Sequence, residues 1–213
     1  MSSYEGLAAS YDALTTDVGY EKRADFLEKL FRRSRIPVHT VLDLACGTGT
    51  MTWLLTDRGY ELIGVDGSEE MLAAAMEKSG QVEGIPPIFL HQSMPQLDLY
   101  GTVDAAVCCL DSLNYLTRPA DVQRTFRRLH LFIAPGGPCW CSTSIPWPSW
   151  RRWMDRSFWT RRRTPTASGA RSITGDCVPI TWISSTAAGT AHGSGSWRST
   201  GSGPIPQRSS PAG

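Results

Sequence analysis

The chain has 213 residues, enough for one domain with a real core, and a formal net charge of +1. That near-neutrality hides a split: residues 1–137 hold 18 acids against 12 Lys or Arg, and residues 138–213 hold 2 acids against 9 Arg. No apolar run reaches membrane length, no secretory pattern is visible, and the six cysteines lack zinc spacing, which argues against a membrane partner, a disulfide scaffold or a metal site and for a cytoplasmic protein with buried free thiols.

Taken in order, Tyr4 to Thr15 places Tyr4, Leu7, Ala8 and Tyr11 at helical spacing. It reads either as a short helix on the domain edge or as a flap over a pocket. Tyr20 to Arg33 is a stronger amphipathic helix with Ala24, Leu27, Leu30 and Phe31 on one face, and Pro37 leads out of it. Residues 1–36 therefore form an N-terminal helical cap. Val41 to Thr50 then reads Val-Leu-Asp-Leu-Ala-Cys-Gly-Thr-Gly-Thr: a buried parallel strand running into a tight turn that opens a helix. Glycine there permits positive φ and close approach of a ligand, and the amides of the helix start favour an electron-rich group.

A helix over Met51 to Arg58 stops at Gly59. Glu61 to Asp66 is a second strand ending in an acid, followed by a helix capped at Ser68. Asp66 is either a solvated cap or, 19 residues past Gly47, an acceptor for ribose hydroxyls. Ile85 to His91 and Val103 to Leu110 are the third and fourth strands. Asp111, Ser112, Asn114 and Tyr115 follow the carboxyl end of the fourth, where open α/β sheets bind ligands; capping is the competing explanation for Asp111 and Asn114. A helix over Pro119 to Phe132 and the turn Ala134-Pro-Gly-Gly137 complete the series. The fold class is α/β: a doubly wound, mostly parallel Rossmann-like sheet with an N-terminal helical segment.

Two cofactor chemistries compete for the glycine turn. A dinucleotide site prefers a third glycine where Thr52 stands, and a pyrophosphate would sit close to Asp43. A carboxylate there repels phosphates and attracts a cationic amino-acid head. An NAD-dependent oxidoreductase and a non-catalytic nucleotide-binding or interaction protein stand as the alternatives.

Leu42-Asp43-Leu44-Ala45-Cys46-Gly47-Thr48-Gly49 resembles the first motif of the class I S-adenosylmethionine-dependent methyltransferases. Gly64-Val65-Asp66-Gly67-Ser68 with Met71-Leu72 resembles their second, Asp104 to Leu116 their fourth-strand motif, and Pro135-Gly136-Gly137 the turn before the fifth strand. The resemblance spans about residues 4–137, with the cofactor core at 37–137. It implies S-adenosyl-L-methionine as cofactor, touched by Asp43, Ala45, Gly47, Gly49, Asp66, Gly67, Ser93, Met94 and Leu110. Gln92 to Met94 would flank adenine, with Ser93 standing where the family often has Asp. Asp111 or Tyr11 is a candidate base by position, and the acidic net charge of the first 137 residues points to a small-molecule acceptor rather than nucleic acid.

From Pro138 the composition changes. Leu, Lys, Glu, Tyr and Asn vanish for 76 residues, while seven of the eight tryptophans appear beside 23 Ser or Thr, 8 Pro and 8 Gly. Neither strand alternation nor an amphipathic helix is legible, so residues 138–213 read as an irregular Ser/Thr/Arg/Trp-rich tail in place of a fifth strand and its successors. A basic aromatic tail for nucleic acid is one reading. A shifted reading frame is the other. Pro138-Cys-Trp-Cys requires CCN TGY TGG TGY, which read from the third base of the proline codon gives Leu, Met or Val, then a forced Leu-Val pair, then Leu or Phe where Ser142 is a TCN codon. That output is the missing apolar strand. Its loss is expected to leave the sheet incomplete on its C-terminal side and the activity of the chain as written compromised.

Overall fold

The computed structural model describes residues 8–78, 85–143, 163–165, 171–173 and 180–184. The expected first turn of the N-terminal helix, at Tyr4 to Leu7, and most of the stretch after Thr143 lie outside them.

Five strands carry the architecture. β1 (Thr40–Leu44) pairs in parallel with β2 (Glu61–Asp66) on one side and β4 (Ala105–Cys108) on the other; β2 pairs in parallel with β3 (Ile88–His91), and β4 with β5 (Cys139–Thr143). Three short strands extend this sheet: β6 (Arg163–Pro165), β7 (Arg171–Ile173) and β8 (Ile180–Ser184), with β8 parallel to β5. The order is β3-β2-β1-β4-β5-β8-β7-β6. Chain direction across the sheet reverses between β1 and β4, which opens a crevice at their carboxyl ends.

Both faces of β1 are buried, so it is apolar almost throughout. Val41 packs with Ala24, Leu27, Phe31 and Leu55 on the face covered by α2 (Tyr20–Phe31) and α3 (Thr50–Asp57). Leu42 and Leu44 pack on the opposite face, with Phe126 and Leu129 of α5 (Pro119–Phe132). α4 (Glu69–Glu77) starts where the Ser68 hydroxyl accepts a hydrogen bond from Met71 N at 3.3 Å. Arg58, at the end of α3, donates to Glu21, Asp25 and Glu28 of α2 at 2.6–2.9 Å and ties the two helices together. Trp53 Nε1 donates to Ala75 O at 2.7 Å, joining α3 to α4.

Three expectations change. The third strand starts at Ile88 rather than Ile85, because Pro86 and Pro87 cannot donate to a ladder. The fourth spans Ala105–Cys108; Val103 makes an isolated bridge to Ile133, and Leu110 turns out of the strand at φ 54°. The largest difference follows Gly137, where no strand was legible. Cys139–Thr143 is β5, with Cys139 and Cys141 buried on the α5 face and Trp140 on the α2 face, 6.3 Å from the Phe26 ring. A strand covered on both faces needs a continuous apolar run rather than alternation, and Cys-Trp-Cys is apolar enough to serve. Gly137 lets it in: a Cβ there would lie 2.1 Å from Asp104 O.

Candidate cofactor site

The turn after β1 is held by its backbone. Cys46 N donates to Val65 O at 3.0 Å, Gly49 N to Cys46 O at 3.0 Å, and Trp53 N to Gly49 O at 2.8 Å. Ala45, Gly47 and Gly49 all have positive φ, at 59°, 56° and 72°. The two glycines serve different needs. Around Gly47 a Cβ would meet open space, so the requirement is conformational and the backbone stays approachable. At Gly49 a Cβ would lie 2.9 Å from Ala75 Cβ, so close packing on α4 excludes larger residues as well. Ala45 bears the left-handed strain without glycine's relief, as residues at ligand clamps often do. Asp66 braces the turn: Oδ2 accepts from Gly47 N at 2.8 Å and Oδ1 from Ser68 N at 2.9 Å.

A cleft opens at the carboxyl ends of β1 and β4, with about 350 Å³ of empty space including its mouth. Asp43, Ala45, Gly47 and Thr48 line one wall, Cys109, Leu110 and Ser112 another, and Tyr11 and Tyr20 close it from the N-terminal helices. Asp43 is 1% exposed, and burial pushes its carboxyl up to about 6 despite the Thr52 hydroxyl donating to it at 2.7 Å; the charge of Asp66 adds to the rise. Such a carboxylate is stabilised by a nearby cation and destabilised by a phosphate. Tyr11 sits on α1 (Ala8–Leu14), where burial, then Tyr115, Asp66 and Asp12, raise its phenol pKa, so it keeps its proton at neutral pH. Burial likewise raises Cys46 and Cys109 well above the ordinary thiol range, so neither is a ready nucleophile.

Leu110 and Asp111 form the cleft's strained corner, with φ of 54° and 59°. Asp111 N donates to Ser142 Oγ at 2.9 Å. Its Oδ1 is buried with no hydrogen-bond partner among the described residues.

Apart from Gly49, packed on α4, and Asp111, next to the lining Leu110, the residues singled out from sequence fall into two groups. Tyr11, Asp43, Ala45, Gly47 and Leu110 line the cleft together, with Asp66 one hydrogen bond away. Gly67 and Ser93 face each other at the ends of β2 and β3, where a Cβ on Gly67 would lie 4.0 Å from Ser93 Cα. The Ser93 hydroxyl donates to Gln96 Oε1 at 2.7 Å, which orients its lone pairs away from that partner, and Met94 packs against the α5-side core. Ser112, expected past the carboxyl end of the fourth strand, does line the cleft; Tyr20, Thr48 and Cys109 line it too, although the sequence does not mark them as site residues. Tyr20 looks like part of a helix's apolar face, and only the crossing of α2 over the crevice brings it to the site.

The fold and this crevice define an open α/β sheet protein with a nucleotide-type site at its switch point. Residues 41–137 match the family model described as Methyltransferase domain. YqeM of Bacillus subtilis (strain 168) is 39% identical over 136 residues, which cover 63% of this chain and 52% of that protein. The glycine/sarcosine N-methyltransferase of Halorhodospira halochloris is 29% identical over 114 residues, covering 53% and 41%. An S-adenosylmethionine-dependent methyltransferase structure from Clostridium acetobutylicum ATCC 824 superposes with a TM-score of 0.59 at 25% identity, covering 81% of this chain and 70% of that one. Residues 41–137 are thus similar to the S-adenosylmethionine-dependent methyltransferases. The chain spans about half the length of the curated relatives it matches.

The donor set fits that family's cofactor: the bare Gly47 backbone offers a cradle, and buried Asp43 suits a cationic head where it would repel a pyrophosphate. No helix among the described residues is long and apolar enough to cross a membrane.

Proposed function

We propose that the protein transfers a methyl group from S-adenosylmethionine to a small-molecule acceptor carrying an N–H or O–H. The observation that carries this reading is the Asp66-braced glycine turn opening beside buried Asp43 at the switch point. The cofactor, when bound, supplies a methyl group already activated on a sulfonium. The chain's residues have then to bind, orient and exclude water, and proximity provides much of the rate. Gly47 and Ala45 present backbone to the amino-acid end, Asp43 compensates its positive charge, and Asp66 keeps acceptor capacity for ribose hydroxyls beyond its two backbone bonds. Gly49, Gly67, Ser93 and Met94 frame the remainder of that binding surface, and Leu110 closes it from β4. Asp111, next to the cleft-lining Leu110 and with an unpartnered Oδ1, is our candidate to take the acceptor's proton. A relative that methylates glycine and sarcosine makes small amines the acceptors to try first.

Calorimetric titration with S-adenosylmethionine tests the reading. The wild-type chain is expected to bind, and Asp66→Ala to lose roughly 100-fold in affinity because two backbone donors lose their charged acceptor. Binding of NAD instead would favour the oxidoreductase alternative; folded protein that binds neither would overturn both. We place the protein in the cytoplasm, since Cys46, Cys108, Cys109, Cys139 and Cys141 are all free thiols.

We further propose that residues 138–213 are read in a shifted frame. The abrupt composition change, the family match ending at residue 137 and the Leu-Val pair encoded in the other frame support it. So does the buried Trp140 Nε1, which has no acceptor among the described residues. The activity of the chain as written would then fall short of the restored one. Resequencing across codon 138 tests this; one intact frame kept in close relatives of the gene would sink it.

A further inference from the structure

The polar contacts at the cleft's rim converge on Asp12, one residue along α1 from Tyr11. Its Oδ1 accepts from Thr48 Oγ1 at 2.6 Å and Thr50 Oγ1 at 3.1 Å, and its Oδ2 lies 2.6 Å from Lys78 Nζ. Lys78, at the end of α4, also donates to Thr50 Oγ1 at 3.1 Å. Four side chains thus join three elements that are far apart in sequence: α1, the glycine turn and the end of α4. Burial alone would raise the pKa of Asp12, but Lys78 and the two hydroxyls outweigh it and hold the carboxyl below its ordinary value.

We propose that Asp12 is a positioning residue that latches α1 across the cofactor cleft, so that S-adenosylmethionine enters and leaves by opening of the Asp12–Thr48–Thr50–Lys78 junction. The proposal rests on the methyltransferase reading and adds the gate to it. Three observations favour a latch over an ordinary surface ion pair. Tyr11 walls the cleft from the same helical turn, so fixing Asp12 fixes that wall. α1 has seven residues and Leu14 is 65% exposed, so neither length nor burial at that end holds it in place. Asp12 and Lys78 are 47% and 30% exposed, within reach of water, so the junction can open without disturbing the core.

The test uses the full chain. Amide hydrogen exchange over residues 8–14 is compared without ligand in wild type, Asp12→Ala, Asp12→Asn and Lys78→Met, and release of S-adenosylmethionine is followed by stopped flow. Asp12→Ala is expected to speed both exchange and release by about ten-fold. Asp12→Asn keeps an acceptor for the threonines but loses the charge, so it should fall between Asp12→Ala and wild type. Lys78→Met should match Asp12→Asn within a few-fold and abolish the acceleration that added salt causes in wild type. Unchanged α1 exchange in both Asp12 variants would overturn the latch. If wild type fails to bind S-adenosylmethionine, the cofactor reading fails by itself and the exchange comparison still decides the latch.

Discussion

The two walls of the cleft are built in opposite ways. On the β1–β2 side the polar groups named are paired: Gly47 N and Ser68 N both end on Asp66, Cys46 N on Val65 O, and the Thr52 hydroxyl on Asp43. On the β4–β5 side two successive non-glycine residues hold left-handed φ, and two buried polar atoms, Asp111 Oδ1 and Trp140 Nε1, lack partners among the described residues. Unmade hydrogen bonds are expensive when buried. The paired wall therefore resembles a preorganised binding surface, and the unsatisfied one a place where something is still to be received or where the wrong side chain stands.

Three variants would break or sharpen that contrast, the largest effect first. Asp111→Asn keeps the shape of the open wall and removes its proton acceptor. In the proposed transfer to a small-molecule acceptor it should lower kcat by roughly 100-fold or more and leave S-adenosylmethionine affinity within a few-fold. Equal loss of binding would move Asp111 from chemistry to structure.

Asp43 tests the paired wall through pH. Its folded pKa, about 6, lies above the ordinary 3.8. The native state therefore holds a proton that the unfolded chain has released, and stability falls as pH rises between those values. The loss amounts to roughly 3 kcal/mol for a shift of this size. Denaturant titrations of Asp43→Asn should be flat across that window and show greater stability than wild type at pH 7, with weaker cofactor binding as the counterpart. A wild type whose stability did not fall there would mean that the carboxylate is better solvated than its 1% exposure implies.

The smallest effect is at Trp140. Replacing the Trp140 indole by its benzothiophene isostere, which removes only the orphaned N–H and keeps the bicyclic shape, should change stability by no more than about 1 kcal/mol, in the stabilising direction. Substantial destabilisation would show that the indole N–H has a partner after all, and would remove one support for a shifted frame.

Much of the fold was legible because its signals are local. Glu61–Asp66 and Pro119–Phe132 occupy the spans their patterns indicate, since a short apolar run ending in an acid and a helical stripe starting at proline each carry their own boundaries. Gly47 and Gly49 advertised positive φ by being glycine; Ala45, Leu110 and Asp111 adopt it without any such mark, and Asp111 N is held there by Ser142 Oγ, 31 residues away in sequence. The same holds for Asp12, whose partners lie 36, 38 and 66 residues away in sequence. By itself, the sequence determined the strand–turn–helix units, the acid at the end of β2 and the break in composition at Pro138. Tertiary structure alone decided that Cys-Trp-Cys forms a strand, that Tyr20 reaches the cleft, and that a carboxylate on α1 closes onto the glycine turn. Periodicity reports which face of an element is apolar, whereas a site is made where separate elements meet, and that depends on how the whole sheet is covered.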